Sequence, residues 1–267
     1  MIDIHCHILP GMDDGAKTLE ESISMVRMAA ASGTTDIVAT PHANPQYRFE
    51  PEVIERKVSE LRSATCDAVQ IHVGCDFHLS ATNIEDALAN PTKYTINHRS
   101  YVLVEFADFL IPPTSTEIFR RMRVAGMTPI ITHPERNRLL QINLEQIRGW
   151  VENECLVQVT AQSFLSRFGK SAKDAADDLM RSGLVHFVAS DAHGPKGRTP
   201  DLAEAYRYVT SSYGPSQAER LFIGNPKATL LGEPLEWFES VPRKRRRWYQ
   251  FFAKRGPGLV DSPQLGE

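Results

Sequence analysis

Short apolar runs, often β-branched, alternate along the chain with stretches whose apolar residues recur at helical spacing. The short runs predict buried strands, and the amphipathic stretches predict helices that cover them. The predicted strands are residues 2–5, 36–40, 71–76, 101–105, 129–132, 156–160 and 185–190. The predicted helices are residues 19–31, 51–64, 84–88, 115–125, 144–152, 172–181 and 200–211. This alternation predicts a parallel α/β fold, and seven strands favour a (β/α) barrel with fewer than eight units.

The end of the chain departs from this pattern. Residues 243–247 are all basic, and Trp248, Tyr249, Phe251 and Phe252 follow closely. Beyond Gly256 the composition turns to proline, glycine and serine, which is typical of disorder. We predict one domain over residues 1–240 and a partly disordered basic and aromatic tail over residues 241–267. The basic run is either a solvated charge cluster or a contact with an anionic membrane surface.

Composition narrows the class of protein. A net charge of -3 over 267 residues argues against a general affinity for nucleic acid. The N-terminus has no basic leader with an apolar core, and no apolar run approaches the length of a membrane helix. The four scattered cysteines, without a CxxC pair, favour reduced thiols. We therefore expect a cytoplasmic protein.

Five of the nine histidines fall at or just beyond the carboxyl ends of predicted strands. His5 and His7 are two residues apart on the first strand, so their side chains point to the same side. His42, His133 and His193 each follow an apolar run. Because α/β barrels build their active sites at these strand ends, the histidines predict a metal site.

Carboxylates accompany these histidines. They are Asp13 and Asp14 after the first strand, Asp76, Glu105, and Asp191 in Ser-Asp-Ala-His. Imidazole and carboxylate ligands without thiolate favour manganese, iron or zinc. The number of candidate ligands exceeds the needs of one ion and favours two or three ions, which lower the pKa of a bridging water and hold phosphate oxygens.

Two arginines lie close to these candidate ligands. Arg136 follows His133 in His-Pro-Glu-Arg, and Arg198 follows His193 across a glycine-rich segment. A guanidinium group can hold phosphate oxygens through paired hydrogen bonds. Surface salt bridges are the alternative role for both side chains. Their position beside predicted metal ligands favours phosphate binding, and hence a phosphoesterase.

These motifs together resemble the polymerase-and-histidinol-phosphatase (PHP) superfamily. More narrowly, the chain resembles the bacterial manganese-dependent protein-tyrosine phosphatases of capsule and exopolysaccharide loci. The matching stretches are MIDIHCHILPGMDDGAKTLEES, IVATPH, VLVEF, ITHPER, FVASDAHGPKGRTP and LFIGNP. The Asp-Asp-Gly of the opening stretch and His-Pro-Glu-Arg are the more specific motifs. The resemblance covers most of residues 1–231 and implies a distorted (β/α)7 TIM-like barrel with three metal ions.

The resemblance also implies roles for individual residues. The implied metal ligands are His5, His7, His42, Glu105, His133, Asp191 and His193, together with Asp13 or Asp14. Glu105 would bridge ions, and Arg136 and Arg198 would bind phosphate. One departure concerns Gly74-Cys75-Asp76, where the family has glutamate as the third residue. Asp76 is one methylene shorter, and His78 is the residue that could compensate for it.

The function implied is hydrolysis of phosphotyrosine on proteins by attack of a metal-bridging hydroxide. The implied substrate is a membrane-associated bacterial tyrosine kinase that regulates capsule or exopolysaccharide synthesis. One alternative is the same chemistry on a small metabolite such as histidinol phosphate, or on a nucleic-acid phosphodiester. Another is a non-catalytic barrel that serves as an interaction module, although the near-complete ligand set argues against it.

Overall fold

The computed structural model describes residues 1–235, in which strands and helices alternate as the hydrophobic pattern predicts. The strands are β1 (Ile2–Cys6), β2 (Asp36–Ala39), β3 (His42–Ala43), β4 (Gln70–Val73), β5 (Asp76–His78), β6 (Tyr101–Glu105), β7 (Thr128–Thr132), β8 (Leu156–Thr160) and β9 (Phe187–Ala189). The α-helices are α1 (Leu19–Ala31), α2 (Pro51–Thr65), α3 (Ala81–Ala89), α4 (Ser115–Val124), α5 (Arg138–Gln141), α6 (Leu144–Glu152), α7 (Ala161–Phe164), α8 (Gly169–Arg181), α9 (Ala203–Tyr213), α10 (Pro215–Glu219) and α11 (Asn225–Leu231). The boundary predicted at residue 240 and the tail over residues 241–267 lie outside the described residues and stay predictions.

The strands pair in parallel and form two sheets, with the orders β1-β2-β4 and β3-β5-β6-β7-β8-β9. Only two residues separate β2 from β3, and two separate β4 from β5, so the described strands follow seven successive runs of sequence. The ends of β1 and β9 also meet, because the amide of Asp191 donates to the carbonyl of His5 at 2.8 Å. The predicted α/β fold with parallel strands is confirmed.

The predicted strand over residues 71–76 is interrupted at Gly74. The amide of Gly74 donates to the carbonyl of Ala39 at 2.9 Å, whereas the amide of Asp76 donates to the carbonyl of Pro41 at 3.1 Å. A Cβ atom on Gly74 would lie 2.6 Å from Cγ1 of Val38, so the close approach of these strands requires glycine. After this interruption Asp76 begins β5 with its side chain fully buried.

Several helix boundaries differ from the predicted ones. Helix α3 begins three residues before the predicted start because the Ser80 hydroxyl accepts a hydrogen bond from the amide of Asn83 (3.3 Å). Helix α8 begins at Gly169 rather than at residue 172, since its first turn, Gly169-Lys170-Ser171, lacks the apolar spacing that would indicate a helix. The short helices α5, α7, α10 and α11 have no predicted counterpart.

Aromatic side chains fill much of the core beneath β6 and β7. Phe106 stacks on Trp150 with ring centroids 5.3 Å apart, and Phe119 meets Trp150 edge-on at 5.4 Å. The Trp150 indole nitrogen donates to the Thr116 hydroxyl at 3.1 Å, which satisfies its only polar atom. This packing fixes α4 and α6 against the strands. Within residues 1–235, no helix is both long enough and apolar enough to cross a bilayer.

Candidate metal centre

Nine of the ten predicted metal ligands come together at the carboxyl ends of the strands. They form four overlapping groups, and in each group one nitrogen or oxygen atom from every member lies within 4.8 Å of the others. The groups are His7, Asp14, His42 and His193; His5, His7 and Asp76; His5, His133 and Asp191; and His42, Asp76 and Glu105. Because His5, His7, His42 and Asp76 each belong to two groups, the arrangement suits adjacent cations that share ligands.

Asp13 and Asp14 occupy different places in this centre. Asp13 lies outside the four groups and accepts hydrogen bonds from Nδ1 of His7 (2.7 Å), the amide of Gly15 (2.9 Å) and the amide of His42 (3.1 Å). A proton held on Nδ1 of His7 leaves its Nε2 as the free nitrogen, facing the other ligands. Asp14 instead places Oδ1 at 3.4 Å from Nε2 of both His42 and His193.

The Asp-Asp-Gly turn wraps closely around His7. A Cβ atom on Gly15 would lie 2.2 Å from the carbonyl oxygen of His7 and 2.6 Å from its Cβ atom. No side chain fits at that distance, so glycine is required for Asp13 to reach the back of the His7 ring. This contact gives a physical reason for the spacing of the motif.

Asp76 is the most informative carboxylate of the centre. Its side chain is fully buried, and neither oxygen has a hydrogen-bond partner. The nearest ligand atoms are Nδ1 of His42 at 3.2 Å and Nε2 of His5 at 3.5 Å. Because a buried carboxylate without hydrogen bonds is costly unless positive charge surrounds it, this environment fits bound cations. His78 lies outside the four groups, with its Nδ1 atom 3.9 Å from a Glu105 carboxylate oxygen.

Neighbouring carboxylates raise the pKa values of two histidines in the centre. Burial opposes a charge on His7, but Asp13 outweighs this and raises its pKa to about 9. The carboxylates of Asp14 and Asp76 likewise outweigh burial and raise the pKa of His42 to about 11. Burial, and then Asp76, raise the pKa of Glu105. In this structure protons therefore balance the carboxylates, and cations bound there would displace them.

His133 has the opposite environment. Burial and the positive charge of Arg136 lower its pKa well below the usual value, so the ring is neutral and can act as a ligand. The backbones of His133 and Asp191 lie in the left-handed region, with φ of 33° and 49°. Residues other than glycine adopt this region rarely, and such conformations are concentrated at functional sites. His133 directly follows β7, and Asp191 lies two residues beyond the end of β9.

Both predicted phosphate-binding arginines reach the centre. Arg136 and Arg198 each donate to Oδ2 of Asp191, and Nε of Arg198 also donates to the Asp191 carbonyl at 3.2 Å. The ring of Phe168 lies beside both, with its centroid 4.4 Å from the Arg136 guanidinium carbon and 5.9 Å from that of Arg198. Contacts of this kind stabilise the position of a guanidinium group.

Phe168 and Glu135 were missed in the sequence. Phe168 lies between α7 and α8, directly before Gly169, and no local sequence pattern signalled its role. Glu135 is fully buried and accepts hydrogen bonds from the Thr160 amide (2.9 Å) and the Ser163 hydroxyl (2.7 Å). It thereby fixes the turn that carries Arg136 against the end of β8. The sequence signal for Glu135 was its position between His133 and Arg136.

A wide cleft opens over these groups. Its volume is about 1080 Å³, and its walls include Asp14, His42, Glu105, His133, Asp191, His193 and both arginines. Residues of the loops after β6, β7 and β8 and of the first turn of α8 also line the cleft. The centre is therefore accessible to a solute through this cleft.

The parallel α/β fold and the histidine and carboxylate cluster at its strand ends place the chain in the class of PHP-type proteins with a candidate metal site. The comparison with known families agrees. The family model for "Capsular polysaccharide synthesis, CpsB/CapC" matches residues 1–231, and the chain belongs to this family. The resemblance found in the motifs is thereby confirmed.

Known relatives share nearly their whole length with the chain. It is 34% identical to the tyrosine-protein phosphatase YwqE of Bacillus subtilis (strain 168), over 94% of this chain and 100% of the relative. It is 31% identical to the putative tyrosine-protein phosphatase CapC of Staphylococcus aureus, over 93% and 99%. A solved structure described as one of YwqE from Bacillus subtilis and CpsB from Streptococcus pneumoniae, unique metal-dependent tyrosine phosphatases, matches with a TM-score of 0.85 at 33% identity, over 92% and 100%.

Proposed function

We propose that the protein is a metal-dependent protein-tyrosine phosphatase that hydrolyses phosphotyrosine on proteins. The observation that carries this proposal is Asp76, a fully buried carboxylate that lies among imidazoles and has no hydrogen-bond partner. The cleft above this centre is lined by two arginines. The names of the curated relatives support the phosphotyrosine substrate over a small metabolite or a nucleic acid. The description of the related structure supports the dependence on metal.

We assign the nine clustered residues as the metal ligands and Asp13 as the residue that orients His7. Glu105 is the bridging candidate, because its two oxygens lie 3.5 Å from Nε2 of His133 and 3.6 Å from Nδ1 of His42. Manganese is the proposed ion, in two or three positions, and iron and zinc are the alternatives. Imidazole and carboxylate oxygen without thiolate favour these metals.

The chain's own side chains bind the substrate and stabilise the reacting phosphoryl group. Bound divalent ions supply Lewis acidity and acidify water in sites of this kind. Arg136 and Arg198 bind the phosphate oxygens through Nη donors and stabilise charge on the transferring phosphoryl group. Phe168 holds the two guanidinium groups, and Glu135 fixes the turn of Arg136. Four carboxylates among the ligands would repel phosphate unless cations balanced them, so anion binding and cation binding depend on each other.

The proposed substrate is a membrane-associated bacterial tyrosine kinase of capsule or exopolysaccharide synthesis. The family described for capsular polysaccharide synthesis supports this partner. We place the enzyme in the cytoplasm, with a peripheral contact at the inner membrane through the basic tail. This location rests on the sequence of residues 243–252 and on the position of such a kinase.

The test combines metal analysis with hydrolysis of a phosphotyrosine peptide, histidinol phosphate and single-stranded DNA. We expect the peptide to be preferred, activity to disappear with chelator, and manganese to restore it best. Arg136→Ala and Arg198→Ala should keep their metal and lose at least about tenfold in kcat/KM, the scale of one charge-assisted contact. His133→Ala should lose metal. Full peptide hydrolysis by a metal-free sample would contradict the proposal.

A further inference from the structure

Two large apolar side chains stand exposed at the cleft that contains the candidate metal centre. Phe109 is 85% exposed and Ile142 is 86% exposed, and both line the cleft. Phe109 belongs to the loop after β6, and Ile142 directly follows α5. The two loops are joined, because the Asn137 side-chain amide donates to the Ala107 carbonyl at 3.1 Å. Single exposed apolar residues are common, but two beside one functional cleft indicate a binding surface.

A basic side chain accompanies this apolar pair. Arg138 also lines the cleft, is exposed, and within residues 1–235 has neither a hydrogen bond nor an ion pair from its guanidinium group. Lys170, which also lines the cleft, is different, because it pairs with Asp174. An unneutralised arginine beside two exposed apolar residues is complementary to a ligand with both apolar and acidic groups.

The dimensions of the cleft agree with a ligand larger than one amino-acid side chain. Its volume of about 1080 Å³ slightly exceeds the range for small-molecule pockets, about 300–1,000 Å³. The arginines that contact Asp191 lie in the depth of the cleft, whereas Phe109 and Ile142 project at its edge. A phosphorylated residue bound at the arginines would leave its neighbouring residues at this edge.

We propose that Phe109, Arg138 and Ile142, here called the rim, bind the polypeptide segment that flanks the phosphorylated tyrosine. The apolar pair takes an apolar side chain close to the phosphotyrosine, and Arg138 takes an acidic one. This inference rests on the proposed function and adds to it a preference for sequence around the scissile phosphate. The occupant is an extended segment of the substrate protein, because the rim is continuous with the phosphate-binding cleft.

The first experiment compares two aryl phosphates on the metal-loaded protein. The substrates are p-nitrophenyl phosphate, which cannot reach the rim, and a phosphotyrosine peptide with leucine and glutamate neighbours. For Phe109→Ser/Ile142→Ser we expect KM for the peptide to rise about tenfold, as when an apolar interface contact is removed. The kcat/KM for p-nitrophenyl phosphate should stay within about twofold of the parent. The matched control is Val124→Ser, since Val124 is 78% exposed on α4 and does not line the cleft.

The second experiment separates the charged contact from the apolar one. Arg138→Gln should raise KM for the glutamate-containing peptide and leave unchanged that for a peptide with glutamine in its place. The inference is overturned if the rim variants change both substrates equally, if Val124→Ser matches them, or if the peptide KM is unaffected. A change in oligomeric size with unchanged peptide KM would assign the rim to a second copy and also overturn it. Failure of the proposed function is distinguishable, because the parent enzyme would then not hydrolyse the phosphotyrosine peptide, whatever its activity on p-nitrophenyl phosphate.

Discussion

Asp76 is the candidate metal ligand at which this chain departs from the family that its motifs resemble. The resemblance found in the motifs implies glutamate at this position, yet the shorter aspartate lies within two of the four ligand groups. Its burial and lack of hydrogen-bond partners match a direct ligand. His78, two residues later, is partly exposed and lies outside those groups. We therefore expect Asp76 to reach the bound ions directly, without His78 as a second ligand.

The corresponding variants are Asp76→Asn and His78→Gln. We expect Asp76→Asn to lose manganese, measured by elemental analysis, because the amide keeps the shape but not the charge. Its kcat/KM for a phosphotyrosine peptide should fall at least about 100-fold, the upper end of the loss from changes behind a metal ligand. His78→Gln, the control, should keep its metal. Metal loss from His78→Gln alone would show that His78 is the ligand at this position.

The cysteines offer a second residue-scale test, because many tyrosine phosphatases use a thiolate nucleophile. Burial raises the pKa of Cys6 and of Cys75 well above the usual range, and it raises that of Cys155 to about 12. Only Cys66 is exposed, after the end of α2. None of the four lines the cleft. The structure therefore offers no thiolate at the site.

We expect each single Cys→Ser variant to keep turnover within about tenfold of the parent enzyme. Iodoacetamide should modify Cys66 in the folded protein without loss of phosphatase activity, as followed by mass spectrometry and peptide hydrolysis. A larger loss in one variant, together with a trapped phosphocysteine, would replace the metal-dependent mechanism by a covalent one.

At the scale of secondary-structure elements, a histidine between β8 and β9 makes the stability of the fold depend on pH. Nδ1 of His186, just before β9, accepts the amide hydrogen of Val157 in β8 at 3.1 Å. Burial, and then the charge of Arg220, lower the pKa of His186 to about 4. The unfolded chain binds this proton near pH 6.5, so the neutral ring stabilises the fold fully above that pH. This stabilisation is lost as the pH falls from about 6.5 to about 4.

The variant His186→Asn can accept the same amide without titrating. Between pH 7 and pH 5 the parent protein should lose about 2 kcal/mol more unfolding free energy than this variant. Urea denaturation at the two pH values measures the difference. His98→Asn is the control, because the His98 side chain is 46% exposed and pairs with Glu55 at the surface. If the parent and His186→Asn respond alike to pH, His186 is not buried in its neutral form.

At the scale of the whole molecule, the basic run after residue 242 and the aromatic residues behind it remain to be assigned. Each lysine or arginine near an anionic membrane contributes about 1 kcal/mol, and aromatic rings favour the interface. We expect the full chain to bind vesicles containing anionic lipid and to dissociate as salt rises. Removal of residues 243–267 should abolish this binding and leave peptide hydrolysis intact. Sedimentation with vesicles measures this binding. Equal binding by the full and the truncated chain would identify the basic run as a solvated charge cluster.

The sequence alone predicted the alternation of strands and helices, because strand and helix periods depend on nearby residues. It also located the candidate chemistry, since side chains at the carboxyl ends of parallel strands converge whatever the details of packing. His5 and His7 illustrate this, as two residues on one strand must share a side. The seven strand positions and the family membership followed from the same local patterns.

Only the tertiary structure separated Asp13 from Asp14, brought Asp76 into the ligand groups, and placed Phe168 beside two arginines. Neighbouring carboxylates in a turn are equivalent in sequence, and their separation depends on the close contact of Gly15 with the His7 backbone. Phe168 reaches Arg136 and Arg198 across long sequence separations. The helix starts at Ala81 and Gly169 depended on a serine cap and a polar first turn, which carry no hydrophobic period. Packing between distant segments decided these features, because no local pattern encodes such contacts.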